Sequence, residues 1–317
     1  MAGSTFQTNP VDLYKLLDDC HHGLVQLPDF QRSWVWDEDR IKSLIASISR
    51  AFPVGALMTL DTGGPVNFKP RPIEGAPTEA KAVSPQSLLL DGQQRMTSLY
   101  QVTLRDKVVE TVTPKKKRVK RWFYIDIRRS LDPSADREEA IVGVPEDRVV
   151  RADFGREVAL DLSSPEREYS VLMYPVAKVF DWDKWQDGFD KYWRGDQHES
   201  VREDFRAFKK QVLENFKYYR VPVIALDRST SKEAVCVVFE KVNTGGKPLD
   251  AFELVTAMYA AAGHELRKDW YGDDGAKGRH RRFAETLRPA GQDTGIIAAV
   301  ANTDFLQAVS LFHTRDK

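Results

Sequence analysis

The sequence is poor in cysteine. Cys20 and Cys236 are the two it has in 317 residues, with no CxxC pair and no histidine cluster beside them. That excludes a disulfide scaffold and a thiolate zinc site, and it fits a reducing cytoplasm. Net charge is missing too, since 47 Lys plus Arg balance 47 Asp plus Glu. Any contact with nucleic acid must therefore come from a local patch and not from the field of the whole molecule. No apolar run approaches the ~20 residues needed to cross a bilayer. The N-terminus lacks the apolar segment of a signal peptide, so no membrane association is expected. There is no internal repeat and no Walker A pattern, which excludes a P-loop NTPase. What remains is ordinary for a globular protein, with 42% hydrophobic and 30% charged residues. The length allows one large domain or two smaller ones.

One stretch organises the rest. Leu88–Leu104 reads LLLDGQQRMTSLYQVTL. The three leucines predict a buried strand, Asp91 and Gly92 a turn, and Met96, Leu99, Tyr100 and Leu104 an amphipathic helix. Asp91–Arg95 then stands on a strand-to-helix corner. Helix N-termini leave N–H groups unpaired and carry partial positive charge, which suits a phosphate. Gly92 would let the backbone approach a ligand, and Arg95 adds a forked cation. Asp91 and Gln94 are also spaced as a capping box, which would satisfy the same N–H groups without any ligand.

Residues 1–9 read as a loose start, and Val11–Cys20 as a short helix with Leu13, Leu16 and Leu17 on one face. Leu27–Trp36, LPDFQRSWVW, reads as extended and aromatic, and either anchors a core or offers Phe30 and Trp34 as an apolar wall with Gln31 and Arg32 toward a ligand. Asp37 predicts an N-cap for the helix carrying Ile41, Leu44, Ile45 and Ile48. Val54–Leu60 reads as a strand, and residues 61–87, dense in Pro and Gly, as a long loop. Lys115–Arg121, KKKRVKR, has six basic residues in seven. It is either a solvated hairpin tip before a strand at Trp122–Ile127 or a contact to a phosphate backbone. Residues 131–170 read as an irregular insertion. Tyr174–Phe216 reads as helical, with Phe205, Phe208, Val212 and Phe216 as a core stripe, and Val221–Leu226 as a strand. A helix is expected from Ser231 to Val242, boxed by Thr230 and Glu233. It ends in Asn243-Thr244-Gly245-Gly246, a loop able to hold an anion with its N–H groups. From Ala251 onward the chain reads as helical.

Taken together, LPDFQRSWVW, LLLDGQQRMTSL and FEKVNTGGKPLDAFEL (residues 239–254) resemble the DGQQR-motif family of bacterial restriction and phage-defence proteins. That family includes the GmrSD-type modification-dependent endonucleases and, nearer to this pattern, the phosphorothioate-sensing SspE proteins. The resemblance covers most of residues 10–262. It implies an α/β fold with a ParB/sulfiredoxin-like mixed-sheet core and a large helical C-terminal portion, divided as residues 1–228 and 229–317. It implies NTP hydrolysis, of GTP or another nucleotide, with Mg²⁺, at a site where Asp91, Gln94 and Arg95 are catalytic. Gln31, Arg32, Gly92, Gln93, Thr97, Asn243, Thr244, Gly245 and Gly246 would bind the nucleotide. Double-stranded, modified DNA is the expected partner, met by Phe30, Gln31, Trp34, Lys115, Lys116, Lys117 and Arg118. The family's nuclease is a domain with a histidine motif, which His264, His280 and His313 do not reproduce. The nuclease is thus expected elsewhere in a longer protein or in a partner subunit. A homo-oligomer and a ParB-like DNA-binding module without catalysis stay open.

Overall fold

The computed structural model describes residues 6–29, 31, 33–34, 36–66, 68–153, 156–231, 234–235, 238, 256, 266–273, 275–286 and 299–315. The chain divides into two units, each discontinuous in sequence. The first takes Met1–Gln26, Ser33–Leu60 and Pro72–Leu226, the second Leu27–Arg32, Asp61–Arg71 and Asp227–Lys317.

The expected loose start is a strand, Phe6–Asp12 (β1). Its residues alternate too little for a period-two signal, because it is an exposed edge strand paired antiparallel along its length with Arg220–Leu226. Helix Leu13–His21 (α1) follows and buries Leu13, Leu16, Leu17 and Cys20. Burial pushes the Cys20 thiol up to about 12, so it acts as an apolar core group and not as a nucleophile. Of the LPDFQRSWVW segment, Leu27 and Pro28 end strand Val25–Pro28 (β2). Helix Glu38–Ser49 (α2) starts as expected, with the Asp37 carboxylate accepting from Arg40 N–H at 2.9 Å. Strand Leu57–Asp61 (β3) begins three residues later than the sequence suggested.

The Pro- and Gly-rich stretch is not one loop. It contains the short strand Pro70–Arg71 (β4) and a 3₁₀ turn at Thr78–Ala82, and it buries Val66, Phe68, Ile73 and Ala80. Strand Ser87–Asp91 (β5) and helix Gln93–Leu99 (α3), continued by a π-helical turn Tyr100–Leu104, carry the organising motif. In the first unit the main sheet runs β1, Arg220–Leu226, β3, β5, β2. The β2–β5 pair and the pair of β3 with Arg220–Leu226 are parallel. Leu88, Leu89 and Leu90 are buried inside it, as a continuous apolar run in a parallel strand requires.

The stretch read as irregular contributes one strand to a second sheet and holds a separate two-stranded ribbon. Strands Val109–Val112 (β6) and Arg118–Asp126 (β7) form a hairpin, so β7 starts inside the basic run and not after it. After helix Ile127–Leu131 (α4), strand Ile141–Val144 (β8) pairs with β7. Strands Val149–Ala152 (β9) and Glu157–Asp161 (β10) pair with each other. Helix Pro165–Ser170 (α5) leads to Met173–Pro175 (β11), which pairs with β7. Helices Asp183–Tyr192 (α6), Glu199–Phe208 (α7) and Glu214–Lys217 (α8) precede Arg220–Leu226 (β12). Phe205, Phe208, Val212 and Phe216 are buried as expected. The Phe205 ring packs against Phe189, Trp185 and Tyr174, and Phe208 against Tyr174, with Phe189–Phe205 centroids 4.8 Å apart and Tyr174–Trp185 4.7 Å.

Glu168 ties α5 and α6 to β7 in this region. It accepts from Tyr124 O–H at 3.0 Å and Trp185 Nε1–H at 2.8 Å, and is 3% exposed. Burial raises its pKa above the ordinary carboxylate range. The native protein therefore keeps this proton to higher pH than the unfolded chain does. Its stability contribution is full below the unfolded pKa and is lost as pH rises through the native one. Glu168→Gln should flatten that part of the stability–pH curve, measured by urea unfolding from pH 4 to 8. A curve unchanged in shape would refute the assignment.

In the second unit, Leu27 and Pro28 pair with Arg71 and Pro70. The described C-terminal residues are helical at Leu266–Tyr271, Arg279–Thr286 and Asn302–Arg315. A two-stranded ribbon, Gly272–Asp273 with Ala276–Lys277, interrupts the helical reading. Trp270, Phe283 and Phe305 pack together there, the Trp270–Phe305 centroids 4.9 Å apart. The loop Asn243–Gly246 lies outside the described residues, as do Phe30, Arg32, Glu233 and Cys236. Among the described residues Ser231 Oγ accepts from Ala234 N–H at 3.2 Å, while Thr230 Oγ1 donates to Asp227 O. Ser231, not Thr230, is therefore the capping side chain. The mixed α/β class stands; the ParB/sulfiredoxin-like core remains an expectation of the resemblance.

Candidate functional site

β5 delivers Asp91 to the carboxyl end of a parallel strand, the edge where open α/β sheets place their ligand sites. Gly92 then takes a left-handed conformation, φ +92°, and is itself the N-cap of α3, with Met96 N–H donating to its carbonyl at 2.9 Å. The capping-box expectation for Asp91 and Gln94 is thus corrected. No side-chain cap is made, because the strand holds Asp91 extended and the left-handed glycine moves the helix start one residue on.

The Asp91 carboxylate faces Arg95 instead, with Arg95 Nη2 donating to Oδ2 at 3.1 Å. Arg95 also donates from Nη1 to Val54 O at 2.7 Å and from Nη2 to Ala56 O at 3.0 Å. Its guanidinium lies so close to Gly55 that a Cβ there would stand 2.7 Å from Nη1. Arg95 therefore clamps the segment before β3 onto the corner. Gln93 and Gln94 are buried beside it, at 7% and 9% exposure. Thr97 is fully buried, and its Oγ1 has no hydrogen-bond partner among the described residues.

The first motif meets the second here. Gln94 Nε2–H donates to Ser33 O at 3.3 Å, and Trp34 Nε1–H donates to Ser98 Oγ at 2.9 Å. Ser98 Oγ in turn donates to Gln94 O at 2.7 Å. Trp34 N–H is held by Glu74 Oε1 at 3.1 Å. Gln31 belongs to the second unit, where it is buried and its carbonyl accepts from Arg71 Nη2 at 3.1 Å. Lys115, Lys116 and Lys117 lie at the turn of the β6–β7 hairpin, and Arg118 opens β7. Lys116 and Arg118 line a groove with Trp34, Trp36 and Arg40. Sequence reasoning missed Arg40, a single cation on a helix with no local signal, and passed over Lys120 and Arg121 within the basic run.

A family model described as the GmrSD restriction endonuclease, N-terminal domain, matches residues 13–260. The chain belongs to this family. The match takes in the LPDFQRSWVW segment, the DGQQR corner, the basic hairpin and the Asn243–Gly246 loop. The chain is also similar to an uncharacterized protein, MJ0686, of Methanocaldococcus jannaschii, at 27% identity over 268 residues. That alignment covers 82% of this chain and 43% of the relative, so the chain spans less than half of that relative's length. Among the described residues no helix is long and apolar enough to cross a membrane. Among them, too, no group of three or more His, Cys, Asp and Glu is arranged to hold a metal ion. Mg²⁺ needs less from a protein, since one or two carboxylates plus substrate phosphates suffice, and the partly exposed Asp91 fits that pattern.

Proposed function

We propose that this chain is the nucleotide-hydrolysing DNA sensor of a modification-dependent restriction system. Its nuclease lies in another part of the protein or in a partner subunit. The observation that carries this reading is the DGQQR corner. Four polar side chains, Asp91, Gln93, Gln94 and Thr97, gather on or just after a parallel strand's carboxyl end, three of them nine-tenths buried or more. A corner with no ligand to serve would be filled more cheaply by apolar side chains. Asp91 would hold Mg²⁺ together with the nucleotide's phosphates, and the ion would offset phosphate charge. Gln93 and Gln94 supply amide groups to phosphates and water, and Thr97 a free hydroxyl. Arg95 serves this site by fixing Asp91, and adds positive charge beside the transferred group.

The modification read is proposed to be a phosphorothioate, whose soft, weakly hydrated sulfur suits the apolar ring of Trp34. Membership of the GmrSD family supports the alternative of glucosylated hydroxymethylcytosine. The test is nucleotide turnover with no DNA, plain duplex, phosphorothioate duplex and glucosylated duplex of one sequence. Asp91→Asn keeps the shape of the side chain and an oxygen for Arg95, and should lower turnover about 10²-fold while costing only about 1 kcal/mol of stability. Wild-type turnover in that variant would remove Asp91 from the chemistry, and no turnover by the unaltered protein with any duplex would end the enzymatic reading.

A further inference from the structure

The β6–β7 hairpin and the segment before α2 face each other across an open groove of about 1120 Å³. We propose that this groove holds the sugar-phosphate backbone of duplex DNA. The choice of DNA rests on the sensor reading above; the groove itself is independent of nucleotide hydrolysis.

One wall is cationic and stiff. Lys116 N–H donates to Thr113 O at 2.7 Å, Thr113 N–H to Lys117 O at 2.8 Å, and Lys117 N–H to Thr113 Oγ1 at 3.2 Å. This tight turn, with Lys116 at φ +61°, fixes where the lysines emerge. Five cations line the groove against three carboxylates, and the carboxylates have partners. Glu146 meets Lys120 at 2.9 Å, Asp37 lies 3.7 Å from Arg40, and Glu110 stands opposite Lys120 in the strand register. Arg121 is answered from α2 by Glu38 at 2.9 Å. Lys116 and Arg118 have no carboxylate partner among the described residues, nor have Lys115 and Lys117. Elsewhere basic clusters are neutralised: Arg279 pairs with Asp269 and Arg281 with Glu285. In a chain of zero formal net charge, four adjacent unanswered cations beside a cleft give it a local positive potential that favours an outside anion.

The other wall is aromatic and anchored. Trp36 O accepts from Thr111 Oγ1 at 2.7 Å, and Asp37 bridges to Val112, so the two walls are joined. The Trp34 indole N–H is already taken by Ser98, which leaves its ring as apolar surface. Cations along one side and apolar rings along the other suit a sugar-phosphate strand, and a groove of this volume suits a polymer more than a small anion. A strand bound there would lie two hydrogen bonds from the DGQQR corner, through Trp34, Ser98 and Gln94.

The test is fluorescence anisotropy of the full chain with a labelled 20-bp duplex across a salt series. Lys116→Gln/Arg118→Gln should weaken binding about 10-fold or more and reduce the slope of log affinity against log salt by about two. Arg128→Ala, which removes one charge at a site paired with Asp204, should leave both nearly unchanged. Unaltered affinity and slope in the double variant would overturn the groove. So would failure of the unaltered chain to bind duplex, or tighter binding of RNA of the same sequence. Salt-dependent binding lost in the double variant, with no nucleotide turnover by the unaltered chain, would support the groove while ending the enzymatic reading.

Discussion

Arg95→Ala is expected to destabilise the first unit by about 2–4 kcal/mol, whatever it does to turnover. The variant strips donors from Val54 O and Ala56 O and leaves the Asp91 carboxylate without its cation. A hydrogen bond to a charged group contributes about 1.5–3 kcal/mol, and partly buried carbonyls left unpaired add to the loss. The pair is not fully enclosed, with the Arg95 side chain 19% and the Asp91 side chain 32% exposed, which keeps the estimate below that for a buried ion pair. Arg95→Lys should recover only part of the loss, because an ammonium cannot fork between two carbonyls and a carboxylate. Urea midpoints of the three proteins check this; an Arg95→Ala midpoint equal to that of the unaltered chain would refute the clamp. The result also governs how activity data are read. Lost turnover in Arg95→Ala reports fold and chemistry together, whereas Asp91→Asn separates them.

Much of the fold was legible where one periodicity met one environment. The α2 stripe with its Asp37 cap, the α1 leucines and the Phe205–Phe216 stripe each bury a single face. Their spacing alone therefore states their structure. What stayed hidden depends on partners distant in sequence. β1 reads FQTNPVD and has little hydrophobic signal, because it is an exposed strand defined by β12 more than 200 positions away. β8 is recognisable as a strand only through β7. At the corner, the motif gave the residue types and the strand-to-helix change. It did not give the partners of Arg95 on Val54 and Ala56, or the meeting of Trp34 with Ser98, since neither is a neighbour in sequence. The basic run was plain in the sequence, but its aromatic facing wall was not. Lys116 and Trp34 are brought together by the isolated pairing of Asp37 with Val112.

Gly92→Ala should lower stability by about 2–4 kcal/mol, and the cause should be Leu57 more than any ligand. The sequence reading assigns Gly92 to close approach of a phosphate. The space in front of its Cα is filled by protein: a Cβ built there would stand 2.1 Å from Leu57 Cδ2 and 3.3 Å from Arg95 Nη2. Leu57 is 2% exposed on β3, so it has little freedom to retreat. Overpacking of this kind costs about 1–3 kcal/mol. The left-handed φ of +92° adds about 1 kcal/mol for any residue with a Cβ. These two causes separate in a double-mutant cycle. Leu57→Ala alone should destabilise by about 2–4 kcal/mol through the cavity it leaves. In the Leu57→Ala background, Gly92→Ala should cost only the backbone part, about 1 kcal/mol, giving a coupling of about 1–3 kcal/mol between the two sites. Strict additivity would show that Leu57 does not limit this position. A large coupling would mean that the glycine of this motif is required first by the packing of β3 against the corner.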